Sequence, residues 1–260
     1  MSNVSFNFKI GAFGCQVIAD GTLKIPGHEQ MELTCLFIRT GKHNVLIDAG
    51  EGKGVNPTSG YLIENMKAAG INPLDVDRVI ITHGHLDHVG GLVDGKGKPS
   101  YPNALYVMHK IEWDYWKPTL IVKPGEAEKN ESMLVATAKK RLIAIQDRIN
   151  VFGDESEIVP GIRYVLMPGH TPGNTMVVIS SGKDQILCVG DIMHGIEELA
   201  EADSWAQFDM NTAEAMHSRA KFLSEAAATR ALVFVCHFPF PGVGYIRAED
   251  GHFAWEPMVK

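Results

Sequence analysis

The stretch that decides the fold lies at residues 82–88 and is Thr82-His83-Gly84-His85-Leu86-Asp87-His88. It brings three imidazoles and a carboxylate together directly after the apolar run at residues 79–81. Imidazoles crowded in this way would repel one another when protonated, whereas a bound cation would hold them neutral. The stretch therefore predicts a metal site on a loop that follows a strand.

The spacing within this motif indicates how the donors are aimed. Side chains alternate along a strand, so His83 and His85 point to the same side, and the glycine between them lets the backbone pass close to a ligand. Asp87 and His88 come after the strand end, where the chain turns through residues 89–91 toward a second point. Two neighbouring cations therefore fit better than one, and a polar turn with chance histidines is the alternative interpretation.

Composition limits the class of protein. A chain of 260 residues with 45% hydrophobic content can bury a substantial core, and we expect a single domain over residues 1–260. The net charge of -7 argues against a nucleic-acid partner, because phosphate backbones are recognised by clustered Lys and Arg. With neither a signal-like N-terminus nor an apolar run of membrane-spanning length, the sequence predicts a soluble cytoplasmic protein without a membrane partner.

The cysteines do not form a metal-binding or disulfide pattern. Cys15, Cys35, Cys188 and Cys236 are scattered without CxxC spacing, and three of them lie inside apolar runs. We expect all four to be reduced packing residues.

Strand and helix patterns alternate along the chain. Strands are predicted at residues 6–18, 33–39, 44–47, 75–81, 104–108, 162–167, 175–180, 185–189 and 231–235, and helices at 61–69, 109–116, 131–149 and 212–227. Residues 21–31 and 117–130 are predicted loops. His170, Asp191 and His237 each follow a strand, and ligands that converge from several strand ends are a common way to assemble a site.

The candidate donors are sufficient for two ions. They are His83, His85, Asp87, His88, His170, Asp191 and His237. Imidazole and carboxylate without thiolate favour zinc, with iron, manganese or cobalt as alternatives. Asp191 can bridge two ions, and a hydroxide shared between them would be a nucleophile at neutral pH, which indicates hydrolysis.

Together these residues resemble the metallo-β-lactamase superfamily, whose signature is H-x-H-x-D-H followed by a Gly-His, a Gly-Asp and a late His. The resemblance extends from residue 46 to His237 and implies an α/β fold, a four-layer αββα sandwich with the site at one rim of the sheets. It further implies one metal on His83, His85 and His170, a second on Asp87, His88 and His237, and Asp191 between them. By the same resemblance, Asp48 supports the ligands through hydrogen bonds.

Residues 208–209, Arg219 and residues 236–244 resemble the branch that contains methyl parathion hydrolase, with bacterial N-acyl homoserine lactonases as close neighbours. Several of those lactonases have a substrate-contacting Tyr three residues after the bridging Asp, where this chain has His194. Asp87 and His194 are therefore the candidate catalytic residues. His194 is expected to donate a hydrogen bond to a substrate oxygen, and a histidine that merely packs at the rim is the alternative.

The resulting hypothesis is a dinuclear metal-dependent hydrolase that uses a metal-bridging hydroxide to cleave a lactone or other apolar ester, with promiscuous phosphotriesterase activity. A mononuclear iron oxidoreductase similar to sulfur dioxygenases is the alternative function. A superfamily nuclease is disfavoured by the acidic charge, a noncatalytic metal-binding role is the least favoured, and a homodimer is left open. Phe238 and Phe240, beside the ligand His237, predict an apolar pocket.

Overall fold

The computed structural model describes residues 4–25, 30–120, 132–154 and 156–258. Of the loops predicted at 21–31 and 117–130, residues 26–29 and 121–130 lie outside the described ranges. Residues 21–24 and 30–31 are strand and residues 117–120 are helix, so these parts of the loop prediction were wrong. None of the helices in the described ranges is long and apolar enough to cross a membrane.

The strands form two sheets. The first sheet has the order β1-β2-β3-β4-β5-β6-β7 and contains β1 (Ser5–Ile10), β2 (Phe13–Lys24), β3 (Gln30–Arg39), β4 (Asn44–Ile47), β5 (Arg78–Ile81), β6 (Leu105–His109) and β7 (Ile149–Phe152). The second has the order β14-β13-β12-β11-β10-β9-β8 and contains β8 (Glu157–Val159), β9 (Ile162–Leu166), β10 (Thr175–Ser181), β11 (Asp184–Cys188), β12 (Leu232–Phe234), β13 (Val243–Glu249) and β14 (His252–Pro257).

Helices cover the outer faces of both sheets. The helices are α1 (Leu62–Ala68), α2 (Leu86–Val89), α3 (Lys110–Leu120), α4 (Met133–Ile145) and α5 (Thr212–Thr229). Leu62 of α1 and Leu142 of α4 join a core outside the first sheet, and Phe222 of α5 joins a core outside the second. A third core between the sheets draws residues from both halves of the chain, such as Val45 and Val177. This arrangement confirms the predicted αββα sandwich.

Two predicted elements were wrong. Residues 6–18 were predicted as one strand, but β1 and β2 form a hairpin, because Gly11 adopts a φ of 53° that permits a tight turn before Phe13. The helix predicted over 131–149 ends at Ile145, and Ile149–Phe152 pairs with β6 as the parallel strand β7. These strand residues are mostly β-branched or aromatic, and pairing with an existing sheet overrides their weak helical pattern.

The topology brings several strand ends to one rim. β4, β5 and β6 are parallel neighbours, as are β11 and β12 in the other sheet, so the segments that follow them leave at common edges. The Tyr164 hydroxyl of the second sheet crosses to the first, where it lies 3.1 Å from the Ile81 carbonyl oxygen and 2.8 Å from that of Val107. The strand that precedes the histidine motif is thereby tied to the opposite sheet.

Candidate metal centre

The carboxylate of Asp191 lies at the centre of a cluster of imidazoles. Its Oδ1 is 3.0 Å from His88 Nε2 and 3.2 Å from His237 Nε2. Its Oδ2 is 3.3 Å from His170 Nε2 and 3.6 Å from His83 Nε2. Each carboxylate oxygen therefore faces a different pair of histidines.

The donor atoms form two groups, and within each group they lie within 4.8 Å of one another. The first group is His83, His85, His170 and Asp191, and the second is His88, Asp191, Cys236 and His237. Asp87 also approaches the second group, since its Oδ2 is 3.5 Å from His88 Nε2 and 3.6 Å from His237 Nε2. The structure thus brings all the donors predicted from the sequence to one rim.

The unsatisfied nitrogens of these histidines fit a bound cation. The Nε2 atoms of His83, His88 and His237 are buried and have no hydrogen-bond partner within the described part of the chain. Burying a polar nitrogen without a partner is costly, and a divalent ion would satisfy several such nitrogens at once. Imidazole nitrogens and carboxylate oxygens are ligands that zinc accepts, so the residues fit the metal that the motif implies.

The first group is held in the form that binds metal. Burial, followed by the proximity of His170, lowers the pKa of His85 to about 3. Burial also lowers the pKa of His83 and of His170. These imidazoles are therefore neutral at pH 7, and a neutral imidazole has a free lone pair for a metal.

The second group is more strongly charged. Burial alone lowers the pKa of His88, but the carboxylates of Asp191 and Asp87 outweigh burial and raise this pKa well above its ordinary value. Conversely, burial raises the pKa of Asp191, but His88 and His237 hold it well below the usual range. Either bound protons or a bound metal can neutralise the negative charge of these carboxylates. Metal binding at this group therefore releases protons.

Residues around the second group orient its ligands. As the resemblance implied, Asp48 supports this group: its Oδ2 is 2.8 Å from His88 Nδ1, and it accepts hydrogen bonds from the Thr82 backbone N–H and hydroxyl. His237 Nδ1 lies 2.9 Å from the Glu32 carbonyl oxygen. With each Nδ1 occupied in this way, both rings present Nε2 to the centre.

Three buried carboxylates near the centre had no role in the sequence interpretation. Glu112 accepts hydrogen bonds from Gly84 and Thr171, which are sequence neighbours of the histidines in the first donor group. Asp209 Oδ1 lies 3.4 Å from His170 Nδ1, and Glu198 Oε1 lies 3.6 Å from His194 Nδ1. Asp209 had been noted only as part of the family resemblance. No local motif marks Glu112 or Asp209, because their neighbours come from distant segments of the chain, whereas Glu198 lies only four residues after His194.

The cysteines are free and buried, as predicted. Cys236 is nevertheless part of the second donor group, with its Sγ 3.7 Å from Asp191 Oδ1. Burial raises the pKa of this thiol to about 11, so in the metal-free protein it is protonated.

A cavity of about 500 Å³ opens onto the centre, with His85, Asp87, His170, Asp191 and His194 in its lining. Its apolar walls include Leu23, Ile25, Met31, Trp116, Leu134, Val135 and Phe208. The prediction that Phe238 and Phe240 form this pocket was wrong. Phe238 is packed in the core outside the second sheet and Phe240 against the core between the sheets, because their chain turns inward after His237.

His194 lies between the centre and the cavity wall. Its Nε2 is 3.5 Å from Asp191 Oδ2, and its ring stacks on Trp205 with a centroid distance of 5.9 Å. Burial lowers the pKa of His194, but the neighbouring carboxylates of Asp191 and Glu198 outweigh this effect and raise the pKa to about 10. The side chain is thus a hydrogen-bond donor at the edge of the cavity.

Comparison with known proteins identifies the family. The Metallo-beta-lactamase superfamily matches residues 33–237, and the chain therefore belongs to this superfamily. The solved structure of AidC, described as a dizinc quorum-quenching lactonase in complex with an N-hexanoyl-L-homoserine product, is similar with a TM-score of 0.89 and 25% identity, covering 100% of this chain and 99% of AidC.

Curated relatives have different activities. The chain is 26% identical to N-acyl homoserine lactonase AttM of Azorhizobium caulinodans over 68% of this chain and 64% of AttM. It is 31% identical to transcription termination factor FttA of Cenarchaeum symbiosum over 70% of this chain. The match spans only 28% of FttA, so this chain corresponds to one part of that longer protein.

Proposed function

We propose that this protein is a dinuclear metal-dependent hydrolase that cleaves a lactone or another uncharged ester. The observation that carries this proposal is the position of Asp191, whose two carboxylate oxygens face separate groups of imidazole nitrogens. When bound, a pair of divalent ions supplies an activated water and a Lewis acid for the carbonyl.

The proposed ligands divide into two sets around the shared carboxylate. His83, His85 and His170 would hold the first ion, Asp87, His88 and His237 would hold the second, and Asp191 would serve both positions. Zinc is the proposed metal, because the donors are imidazoles and carboxylates and because AidC is described as a dizinc enzyme.

Two side chains of the cavity have proposed catalytic roles. His194 Nε2 would donate a hydrogen bond to the substrate oxygen on which negative charge develops, which lowers the barrier for attack. Asp87 approaches the second donor group, and its side chain is 19% exposed, so its carboxylate would take a proton from the attacking water and pass it to the leaving alkoxide.

The lining of the cavity supports an uncharged substrate. Its described residues include the carboxylates Glu51, Asp87 and Asp191 but no Lys or Arg. Among the described lining residues, an anionic phosphodiester or phosphomonoester would meet three carboxylates and neither Lys nor Arg, whereas the apolar walls favour an acyl or aryl group. This charge pattern supports a lactone substrate of the kind that the names of AttM and AidC indicate.

Phosphotriesters are a second proposed class of substrate. They are neutral, like esters, and they require the same activated water and Lewis acid. The uncharged, apolar part of the cavity wall would accept their alkyl or aryl groups.

The experiment that tests the proposal is a substrate panel on metal-defined protein. The protein is stripped with a chelator, reconstituted with zinc, and assayed with lactones, aryl esters, phosphotriesters and a phosphodiester. We expect zinc-dependent hydrolysis of the lactones or esters at two metal equivalents. A phosphodiester as the best substrate, or purification with a single tightly bound iron and thiol-oxidising activity, would overturn the proposal.

A further inference from the structure

Glu112 of α3 is a fully buried carboxylate outside the donor groups, and it is surrounded by hydrogen-bond donors. Its Oε1 accepts from the Gly84 backbone N–H and from the Trp116 indole N–H, both at 2.8 Å. Its Oε2 accepts from the Thr171 hydroxyl at 2.8 Å and from the Gly173 backbone N–H at 2.9 Å. An ionised carboxylate offers about four lone-pair positions, so Glu112 makes the full set of hydrogen bonds that it can accept.

These donors belong to the loops that carry the first donor group. Gly84 lies between His83 and His85, and Thr171 follows His170 directly. The two loops are far apart in sequence. Gly84 lies 28 residues before Glu112, and Thr171 lies 59 residues after it. One side chain of α3 therefore fixes the separation between the two loops.

The contact with α3 is tight on both sides. A Cβ placed on Gly84 would lie 2.1 Å from Trp116 Nε1, and a Cβ on Gly173 would lie 2.2 Å from the Glu112 backbone nitrogen. Glycine at both positions lets the loops approach the helix closely enough to reach the carboxylate. The second donor group has a different support, because Asp48 contacts His88.

We propose that Glu112 is a positioning residue that sets the affinity of the first metal position, the one formed by His83, His85 and His170. The inference rests on the proposed metal ligation, and it concerns only one of the two positions. Through its bond to Trp116, Glu112 also links this position to the wall of the substrate cavity.

Glu112→Gln tests this link with a nearly isosteric change. The amide oxygen can still accept from Gly84 and Trp116, but the amide nitrogen then faces Gly173, whose N–H cannot accept a hydrogen bond. The loop after His170 loses its bond from Gly173 and keeps only that of the Thr171 hydroxyl, which can reverse and accept from the amide, while the second position keeps Asp48. Residues that support metal ligands typically contribute 10–100-fold in affinity, so we expect zinc to bind the first position about 10–100-fold more weakly.

The measurement is a zinc titration of metal-free protein against a chromophoric chelator, without substrate. Asp48→Asn is the matched variant, and it should weaken the second position more than the first, because Asp48 contacts His88 directly and reaches His83 only through Thr82. Unchanged zinc affinity in Glu112→Gln would overturn the proposal, as would equal weakening of both positions together with a lower melting temperature of the metal-free protein. If Glu112→Gln does not fold, Thr171→Val tests the proposal in its place. This variant removes one hydrogen-bond donor to Glu112 and should weaken zinc binding at the first position by a smaller factor. Unchanged zinc affinity in Thr171→Val would overturn the proposal.

Because the titration requires no substrate, it separates this proposal from the proposed hydrolase activity. Selective loss of the first zinc in a protein that hydrolyses none of the panel would support the role of Glu112 and reject the hydrolase. Normal zinc binding in an active Glu112→Gln variant would reject only the role of Glu112.

Discussion

Arg219 Nη2 lies 2.9 Å from Glu198 Oε1, and both side chains are fully buried. The same nitrogen is 3.4 Å from Asp209 Oδ2, so one guanidinium serves two carboxylates. Those carboxylates in turn face the Nδ1 atoms of His194 and His170. A single buried cation thus supports both a histidine of the first donor group and the histidine at the cavity edge.

Arg219→Met should strongly destabilise the protein. It leaves Glu198 and Asp209 as buried carboxylates without their cation, and breaking a buried ion pair typically costs about 3–5 kcal/mol of the free energy of unfolding. Urea denaturation measures the loss. The control is Arg247→Met, because Arg247 pairs with Glu256 at the surface and such a pair contributes about 0–1 kcal/mol. Equal losses in the two variants would contradict the proposed role of Arg219.

Asp191→Asn should reduce the metal content of both positions together. A neutral amide is a poor shared ligand, and its nitrogen would face histidine nitrogens that also need an acceptor or a cation. Elemental analysis of protein purified without chelator should then give clearly less metal than the wild type. Asp184→Asn, at an exposed position of β11, is the control and should retain all metal. An Asp191→Asn protein with full metal content and turnover would exclude the shared-ligand role.

His194→Ala should lower turnover while both metals stay bound. Removal of one positioned donor to a developing negative charge typically costs about 10²–10³-fold in kcat, whereas loss of a rim contact costs less. His194→Tyr restores the donor found in related lactonases and should raise lactone hydrolysis relative to aryl-ester hydrolysis. Steady-state kinetics on both substrate types, with metal content measured in parallel, checks the prediction. Unchanged kinetics in both variants would leave His194 as a packing residue.

Gly84→Ala should destabilise the fold and the first metal position. The new Cβ would lie 2.1 Å from Trp116 Nε1, so α3 or the histidine loop has to shift. Forcing a methyl group into a packed site typically costs about 1–3 kcal/mol. Gly14→Ala is the control, since its Cβ would meet no atom within 4 Å. Thermal unfolding with and without zinc would reveal the difference, and equal melting temperatures for the two variants would contradict the close contact.

The sequence predicted the donor set because each donor follows a recognisable local pattern. His83 to His88 form one motif, and His170, Asp191 and His237 each come after a strand that the apolar pattern identifies. The same patterns predicted most of the strands and helices, whereas the αββα sandwich was implied by the family resemblance. They failed at β7, where pairing with β6 decides the structure of residues whose own pattern is helical.

The supporting residues could not be predicted in this way. Glu112 lies on a short helix where a charged residue is expected to face solvent, yet its partners include Gly173, which is 61 residues away. Arg219 lies on α5 and resembles an ordinary solvent-facing charge, but it is fully buried. Their roles depend on which distant loops the fold brings to them, and a single sequence contains no local signal for such contacts.

The ligands and the cavity walls come from different parts of the fold. The histidine motif and His170 follow β5 and β9, which the Tyr164 hydroxyl ties together, whereas Leu23 and Met31 of the walls lie on β2 and β3. Mutations at Leu23 and Met31 can therefore accumulate without displacing a ligand, unlike mutations at Trp116, which donates a hydrogen bond to Glu112. Over evolutionary time, such a chain can exchange one substrate for another in small steps while the reaction chemistry is inherited unchanged.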